Sequence, residues 1–260
     1  MKITLFTSNQ PRHLNLANLL SKIADEVFVV SEVNTVFPGK VSDFYKKSDV
    51  MKGYFEKVIS AERKAFGDID FLSKNVRTIA LKSGDLNLLS EAQLASALNS
   101  DVYVVFGASY IKGWLIDFLV ERQALNIHMG ISPYYRGSSC NFWALFDDKP
   151  SHVGATIHML SKGLDSGDMI FHCVPKYIEG DSPFDFTMRS VAAAHFGLTE
   201  GIKNGDLLRR PRVPQTKKLE VRYTKHVDFT EAIVSEFLGR NYEIDAGKLK
   251  YPELLDPIFY

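Results

Sequence analysis

The sequence predicts an α/β fold, a doubly wound and mostly parallel sheet with an antiparallel hairpin extension and a short C-terminal appendage. Three stretches carry that expectation. Residues 3–6 (Ile-Thr-Leu-Phe), a helix-period segment and residues 26–30 (Glu-Val-Phe-Val-Val) form a βαβ unit, which makes its strands parallel. Residues 102–106 (Val-Tyr-Val-Val-Phe) are apolar without interruption, as in a central strand buried on both faces. From residue 153 two strands, 153–160 and 169–174, follow each other across a Gly-containing loop, which reads as a hairpin.

Taken in order, the first strand ends in Thr7-Ser8-Asn9-Gln10, and Pro11 suits a first helical turn with Ser8 or Asn9 as its cap. Leu14, Ala17, Leu20 and Ile23 then recur near the 3.6 period. Residues 34–39 are loop-like. An amphipathic helix is expected over 54–66, with Phe55, Ile59 and Phe66 inward and Glu56, Lys57, Glu62, Arg63 and Lys64 on the wet side. Relative to a minimal sheet this segment is an insertion. Residues 76–81 resemble a third strand, and 90–98 a helix capped by Ser90.

Gly107-Ala108-Ser109 leads from the central strand into a helix near Ile111 that carries Trp114, Leu115 and Phe118, and 124–129 is the next strand. Ligands of open α/β sheets sit beyond the carboxyl ends of the strands. The loops after Phe6, Phe106 and Met129 should therefore line one cleft. Ser182-Pro183 opens a long helix to about Lys203, and Asn204-Gly205 breaks it. This divides the chain into a body, 1–204, and an extension, 205–260, that packs on the body or on a partner subunit. The extension begins basic, with eight basic and two acidic residues over 203–225, and ends acidic, with seven acidic against three basic. A short helix at 228–238 presents Phe229, Ile233 and Phe237 on one face.

With 45% hydrophobic and 12% aromatic residues, the 260-residue chain can bury a substantial core. Its 31 basic residues balance 31 acidic ones, so no overall field draws it to nucleic acid or to a membrane. Two cysteines, Cys140 and Cys173, are too few for a disulfide framework and read as thiols of a reducing compartment. The apolar N-terminal stretch is too short for a signal peptide, and no apolar run approaches the ~20 residues of a membrane helix. A cytoplasmic protein is expected.

The chemistry centres on residues 126–137, Asn-Ile-His-Met-Gly-Ile-Ser-Pro-Tyr-Tyr-Arg-Gly. Asn126 and His128, two apart at a strand end, share a face. Downstream, Leu164-Asp165-Ser166-Gly167-Asp168 offers a carboxylate on a Gly-flanked loop. An amide can donate to a developing oxyanion and an imidazole can move a proton near neutral pH. Together they suit attack on a carbonyl. There is no Gly-x-Ser-x-Gly, and neither cysteine has a persuasive partner in sequence, which favours direct transfer to an external nucleophile over a covalent enzyme.

These residues resemble the folate-dependent formyltransferase family, whose signature is Asn-x-His, a Pro, a basic residue with Gly, then a Leu-Asp-x-Gly loop. Here it stands as Asn126, His128, Pro133, Arg136-Gly137 and Leu164 to Gly167, and the likeness is clearest over 100–176. The resemblance implies a Rossmann-like core, with 1–204 as the catalytic domain, and 10-formyltetrahydrofolate as formyl donor. It implies that Asn126 and His128 stabilise the oxyanion, and that Asp165 positions His128 and a water and assists proton transfer. It maps the folate pocket to Phe106, Gly107, Ser109, Tyr110, Ile111, Leu115 and Leu164.

Members of the family act on glycinamide ribonucleotide, methionyl-tRNA or nucleotide-linked amino sugars. A Gly-rich phosphate turn is absent from 7–13, and fewer residues follow Gly205 than in the tRNA enzymes, which leaves a sugar N-formyltransferase as the expectation. The alternatives are the tRNA and ribonucleotide activities, a formyltetrahydrofolate hydrolase, and a binding or regulatory module that kept the fold. The partners expected are a small amine acceptor, no membrane, no nucleic acid, and a second copy of the chain as a possible dimer.

For each side chain a plainer reading stands beside the functional one. Ser8, Asn9, Arg12 and His13 fit a phosphate-binding helix N-terminus or solvated first-turn residues. Tyr134 and Arg136 fit a substrate contact or merely a turn. Trp114 could stack on a ligand or pack in the core. His152, His158 and His172 alternate along the hairpin near Cys173 without metal-site spacing, so no metal is expected.

Overall fold

The computed structural model describes residues 1–38 and 48–260. The loop read over 34–39 therefore ends outside the described residues, and 34–38 lie in neither helix nor strand. An eight-stranded sheet is formed by β1 (Lys2–Thr7), β2 (Glu26–Val33), β3 (Val76–Lys82), β4 (Val102–Val105), β5 (Leu125–His128), β7 (Ala155–Met159), β8 (Met169–Val174) and β10 (Ile258–Phe259). Their order is β10-β8-β7-β5-β4-β1-β2-β3. All pairings are parallel except the two made by β7, which runs against both β5 and β8. A small second sheet pairs β6 (Tyr135–Gly137) in parallel with β9 (Arg222–Thr224).

Helices cover both faces. On one side α1 (Pro11–Ser21), α2 (Asp49–Phe66) and α6 (Pro183–Asn204) bury Leu16, Leu20, Ala61 and Leu198 against Ile3, Val29 and Val104. On the other, α3 (Glu91–Leu94) and α4 (Gly113–Glu121) bury Leu94, Leu115 and Leu119 against Phe6, Tyr103 and Val105. β4 is thus buried from both faces, which is why its sequence shows no alternation. A third, aromatic cluster joins α5 (Cys140–Phe146) and α7 (Glu231–Gly239) to α2 through Tyr54, Phe142, Trp143 and Phe237.

The structure departs from the sequence reading in several places. The helix read over 90–98 is a single turn, although Ser90 caps it in a box with Gln93. Ser8 and Asn9 do not cap α1, whose N-cap is Gln10 with no side-chain bond. Ser8 Oγ instead donates to the Glu32 carbonyl, and Asn9 exchanges two hydrogen bonds with the backbone of Asn34, so both tie the β1 loop to the end of β2. The free N–H groups of α1 are met from outside. Glu62 accepts from the Arg12 backbone N–H at 3.1 Å and from its guanidinium at 2.7 Å. Glu62 is therefore buried rather than solvated, because a carboxylate at a helix N-terminus is favoured by the helix dipole.

Besides the packing of α7, residues 205–260 meet the body through backbone pairing. β9 pairs with β6, β10 extends the main sheet, and Val213 exchanges backbone hydrogen bonds of 2.8 and 2.9 Å with Met169. No helix among the described residues is long and apolar enough to cross a membrane.

Several histidines are buried neutral. Burial drives His158 and His172 down to about 4 and His195 to about 3. A lowered folded pKa means the unfolded chain takes the proton first, so these groups stabilise the fold above pH 6.5 and lose that contribution as pH falls toward 4. Each is worth about 1.4 kcal/mol per pH unit inside that window. Denaturant midpoints measured from pH 7 to 4.5 should therefore fall steeply. A flat profile would show that these rings are not neutral in the folded state.

Candidate active site

β1 has β2 on one side and β4 on the other, so the strand order reverses there and a crevice opens beyond the strand ends. A cavity of about 640 Å³ occupies it, walled by the first turn of α1 and by the loops after β4, β5 and β7. Asn126 and His128, on alternate positions of β5, both reach this cavity, and both are more than nine-tenths buried.

Opposite Asn126, in cross-strand register on β7, stands His158. The His158 Nδ1 lies 2.8 Å from the Met159 carbonyl, so it carries the hydrogen and leaves Nε2 as an acceptor. Asn126 Nδ2 donates to that Nε2 at 2.8 Å and to Asp165 Oδ1 at 3.2 Å. A flipped amide would set its oxygen against a lone pair and a carboxylate, so the orientation of Asn126 is fixed. His158 was not singled out from sequence for this place, since a histidine within an alternating strand carries no mark of its cross-strand neighbour.

His128 is held at both ring nitrogens. Its Nδ1 is 3.3 Å from Asp165 Oδ2, and Nε2 is 3.3 Å from the Tyr135 carbonyl. Burial alone would depress its pKa, but the Asp165 carboxylate and the Cys140 thiol beside it together outweigh burial and hold it well above the ordinary histidine value. Burial would raise Asp165, and the His128 charge overrides it and keeps the carboxyl below its usual range. The pair is an imidazolium and a carboxylate at neutral pH. The Cys140 thiol also faces His128, but it is buried, donates to the Gly137 carbonyl at 3.4 Å and does not line the cavity.

Asp165 is delivered by a tight turn with a left-handed φ of 45°, which aspartate tolerates better than most residues. Gln215, in the C-terminal extension, clamps that turn by donating to the carbonyls of Asp165 and Gly167, both at 2.9 Å. Nothing in the sequence marks Gln215 for this.

Of the residues assigned to the folate pocket, Phe106, Gly107, Ser109, Tyr110, Ile111 and Leu164 line the cavity. Leu115 does not; it is buried on the core side of α4, and its neighbour Ile116 lines the cavity. The 107–109 loop hangs from buried Glu32, which accepts from the Ser109 N–H at 2.6 Å, the Ser109 hydroxyl at 2.9 Å and the Gly84 N–H at 2.7 Å. Tyr110 reaches across to donate to the Lys162 carbonyl at 2.6 Å.

Among residues read as substrate-binding, Arg12 and His13 line the cavity, whereas Ser8, Asn9, Tyr134 and Arg136 do not. Tyr134 donates to the Glu253 carbonyl and Arg136 pairs with Glu220, both structural contacts. Trp114 donates to the Leu89 carbonyl and packs in the core. His13 is buried and held neutral, first by burial and then by the neighbouring Arg12 charge. The wall also includes Ser138, Ser139, Thr224, Lys225 and His226, which the sequence did not bring to the site. No group of three metal-ligating side chains occurs among the described residues.

Residues 1–202 match the formyl transferase family. The chain belongs to this family. Its match covers the main sheet as far as β8 together with Asn126, His128 and Asp165. Among curated family members, the methionyl-tRNA formyltransferase of Desulforamulus reducens is 28% identical over 159 residues, 58% of this chain and 47% of the relative. The chain thus spans about half the length of that relative. The phosphoribosylglycinamide formyltransferase of Anaplasma phagocytophilum superposes with a TM-score of 0.51 at 16% identity, covering 86% of this chain and 98% of the other. The N-formyltransferase of Helicobacter canadensis, solved with folinic acid and dTDP-3-aminofucose, gives 0.50 at 14% identity, covering 88% and 73%. At such identities the two superpositions speak for the shared formyl transferase fold alone.

Proposed function

We propose that this chain transfers a formyl group from 10-formyltetrahydrofolate to a primary amine, and that the amine is carried by a nucleotide-linked sugar. The observation that carries the reaction is the imidazolium–carboxylate–amide cluster of His128, Asp165 and Asn126 in the wall of one cavity. On one side of it the wall is largely apolar, with Phe106, Ile111, Ile116 and Leu160, and is rimmed by the backbone of 107–110 and 161–164. That suits a flat heteroaromatic ring with polar edges.

Bound 10-formyltetrahydrofolate supplies the electrophilic formyl carbon and a nitrogen leaving group. His128 is charged and buried, so its field favours negative charge on the formyl oxygen, and its Nε2–H, held by the Tyr135 carbonyl at 3.3 Å, is the donor that the oxyanion would take over. The Asn126 amide is the second donor. Its 3.2 Å bond to Asp165 is longer than its 2.8 Å bond to His158, so it is the one an oxyanion displaces. Asp165 keeps His128 protonated and orients a water that relays the proton from the attacking amine to the departing nitrogen. With its pKa lowered, it holds no proton itself at neutral pH.

The sugar acceptor is supported by a small-molecule-sized cavity closed on one side by the C-terminal extension, and by the fold shared with the Helicobacter canadensis enzyme. The curated sequence relatives favour a second reading, transfer to methionyl-tRNA. Incubation with 10-formyltetrahydrofolate and a panel of nucleotide-linked amino sugars, with methionyl-tRNA as competitor, separates the two. Tetrahydrofolate should be released only with an amino sugar. Release at the same rate without any amine would make the protein a hydrolase.

A further inference from the structure

We propose that Lys225, carried to the cavity by the pairing of β9 on β6, binds a phosphoryl group of the acceptor. The inference rests on the formyl-transfer reading of the site and names the chain's own means of holding the acceptor. It starts from the charges on the cavity wall. Among the described lining residues the one carboxylate is Asp165, already engaged by His128 and Asn126. Two cations, Arg12 and Lys225, line the same cavity. Arg12 is neutralised by Glu62 at 2.7 Å. Lys225 is exposed and makes no salt bridge among those of the described residues. The carboxylate nearest in sequence, Asp228, is turned to the Lys225 backbone N–H at 2.7 Å. Lys225 therefore brings an uncompensated positive charge to the cavity wall.

That charge stands on a built wall rather than on a loose tail. Gly137 has a φ of 88°, and a Cβ there would fall 1.9 Å from the Thr224 carbonyl, so β6 admits β9 only because residue 137 lacks a side chain. The Ser138 N–H donates to that carbonyl at 3.0 Å, and the Thr224 hydroxyl returns a 2.7 Å bond to the Ser138 carbonyl. Two residues earlier the arrangement is anchored again. Arg222 grips Asp147 with two bonds, 2.8 and 2.5 Å, and lies 4.8 Å over the Trp143 ring. Asp147 also accepts from the Tyr135 hydroxyl at 3.0 Å, and the Tyr135 carbonyl faces His128. The wall bearing Lys225 is thus continuous with the support of the catalytic imidazole.

Outside the apolar region formed by 106–116 and 160–164, the lining includes the hydroxyls of Ser138, Ser139 and Thr224 together with Lys225, and these are the polar groups left for the acceptor to meet. A flexible ammonium beside exposed hydroxyls suits a phosphoryl oxygen as a point-charge partner, without the flat, forked geometry that a guanidinium would impose on a carboxylate.

Calorimetric titration of the full chain tests this, with uridine diphosphate, thymidine diphosphate and folinic acid as probes. The wild-type protein should bind one diphosphate and folinic acid together. Lys225→Ala should weaken the diphosphate at least tenfold, Lys225→Arg should restore it to within about threefold of wild type, and folinic acid should bind all three proteins alike. Unchanged diphosphate affinity in Lys225→Ala overturns the assignment. So does wild-type protein that binds folinic acid but neither diphosphate, or competition between the two ligands. If wild-type protein fails to bind folinic acid, the formyl-transfer reading falls, and this assignment falls with it.

Discussion

Replacing Asp165 by Asn should lower turnover on the order of a hundredfold, the scale of losing one preorganised group at a developing oxyanion. It should also shift the alkaline limb of the rate profile to lower pH. Asn tolerates the left-handed φ of 45° at this position, so the substitution removes charge without straining the turn. In the parent, His128 has a raised pKa, so its charged form is present throughout neutral pH and is lost as pH rises through that value. Without the carboxylate, burial dominates and the ring becomes neutral near pH 7. The acceptor amine must be neutral to attack, so the parent profile rises with pH until His128 deprotonates. Rate measurements from pH 5.5 to 10 on both proteins decide the matter. An alkaline limb at the same pH in both would remove His128 from the role given to it.

Gly167→Ala should be comparably damaging, for a reason of space rather than charge. A Cβ there would stand 1.7 Å from the Met159 carbonyl oxygen and 3.2 Å from His158 Nδ1. The same carbonyl accepts from His158, whose other nitrogen fixes the Asn126 amide. Backbone must move, and it moves the partner of Asn126 and the turn bearing Asp165 at once. Overpacking of this kind costs about 3 kcal/mol, which lowers Tm by roughly 6–12 °C in a chain of this size. Gly163→Ala is the control, since its close neighbour is the rotatable Ser166 hydroxyl at 2.3 Å. Equal melting temperatures and rates for the two variants would show that the 167 turn has slack that its geometry does not reveal.

The strands near the site were legible as apolar runs at 3–6, 26–30, 102–106 and 124–129, which fall on β1, β2, β4 and β5, whereas their order in the sheet is set by packing that no single run records. Asn126 and His128 were legible from period-two spacing at a strand end. Asp165 was legible as an acid in a turn between two strands that had to form a hairpin. What escaped were contacts set by distance in space. Glu32 and Glu62 are charged residues that a pattern reading places outside, yet each is buried by partners, Ser109 and Arg12, 77 and 50 positions away. β9 and β10 are three and two residues long and carry no periodicity to read.

Gln215 sets a rule for anyone who would re-engineer the protein. It holds both ends of the Asp165 turn from a segment outside the main sheet, in the same stretch of chain that leads to β9. A graft replacing that stretch to admit a different amine would cut the clamp along with the wall. The transplantable unit is therefore the 215–226 segment with its glutamine retained, or with another side chain that presents two N–H groups at the same place. Designs that copy only the residues facing the cavity would keep the pocket and lose the carboxylate that makes it reactive.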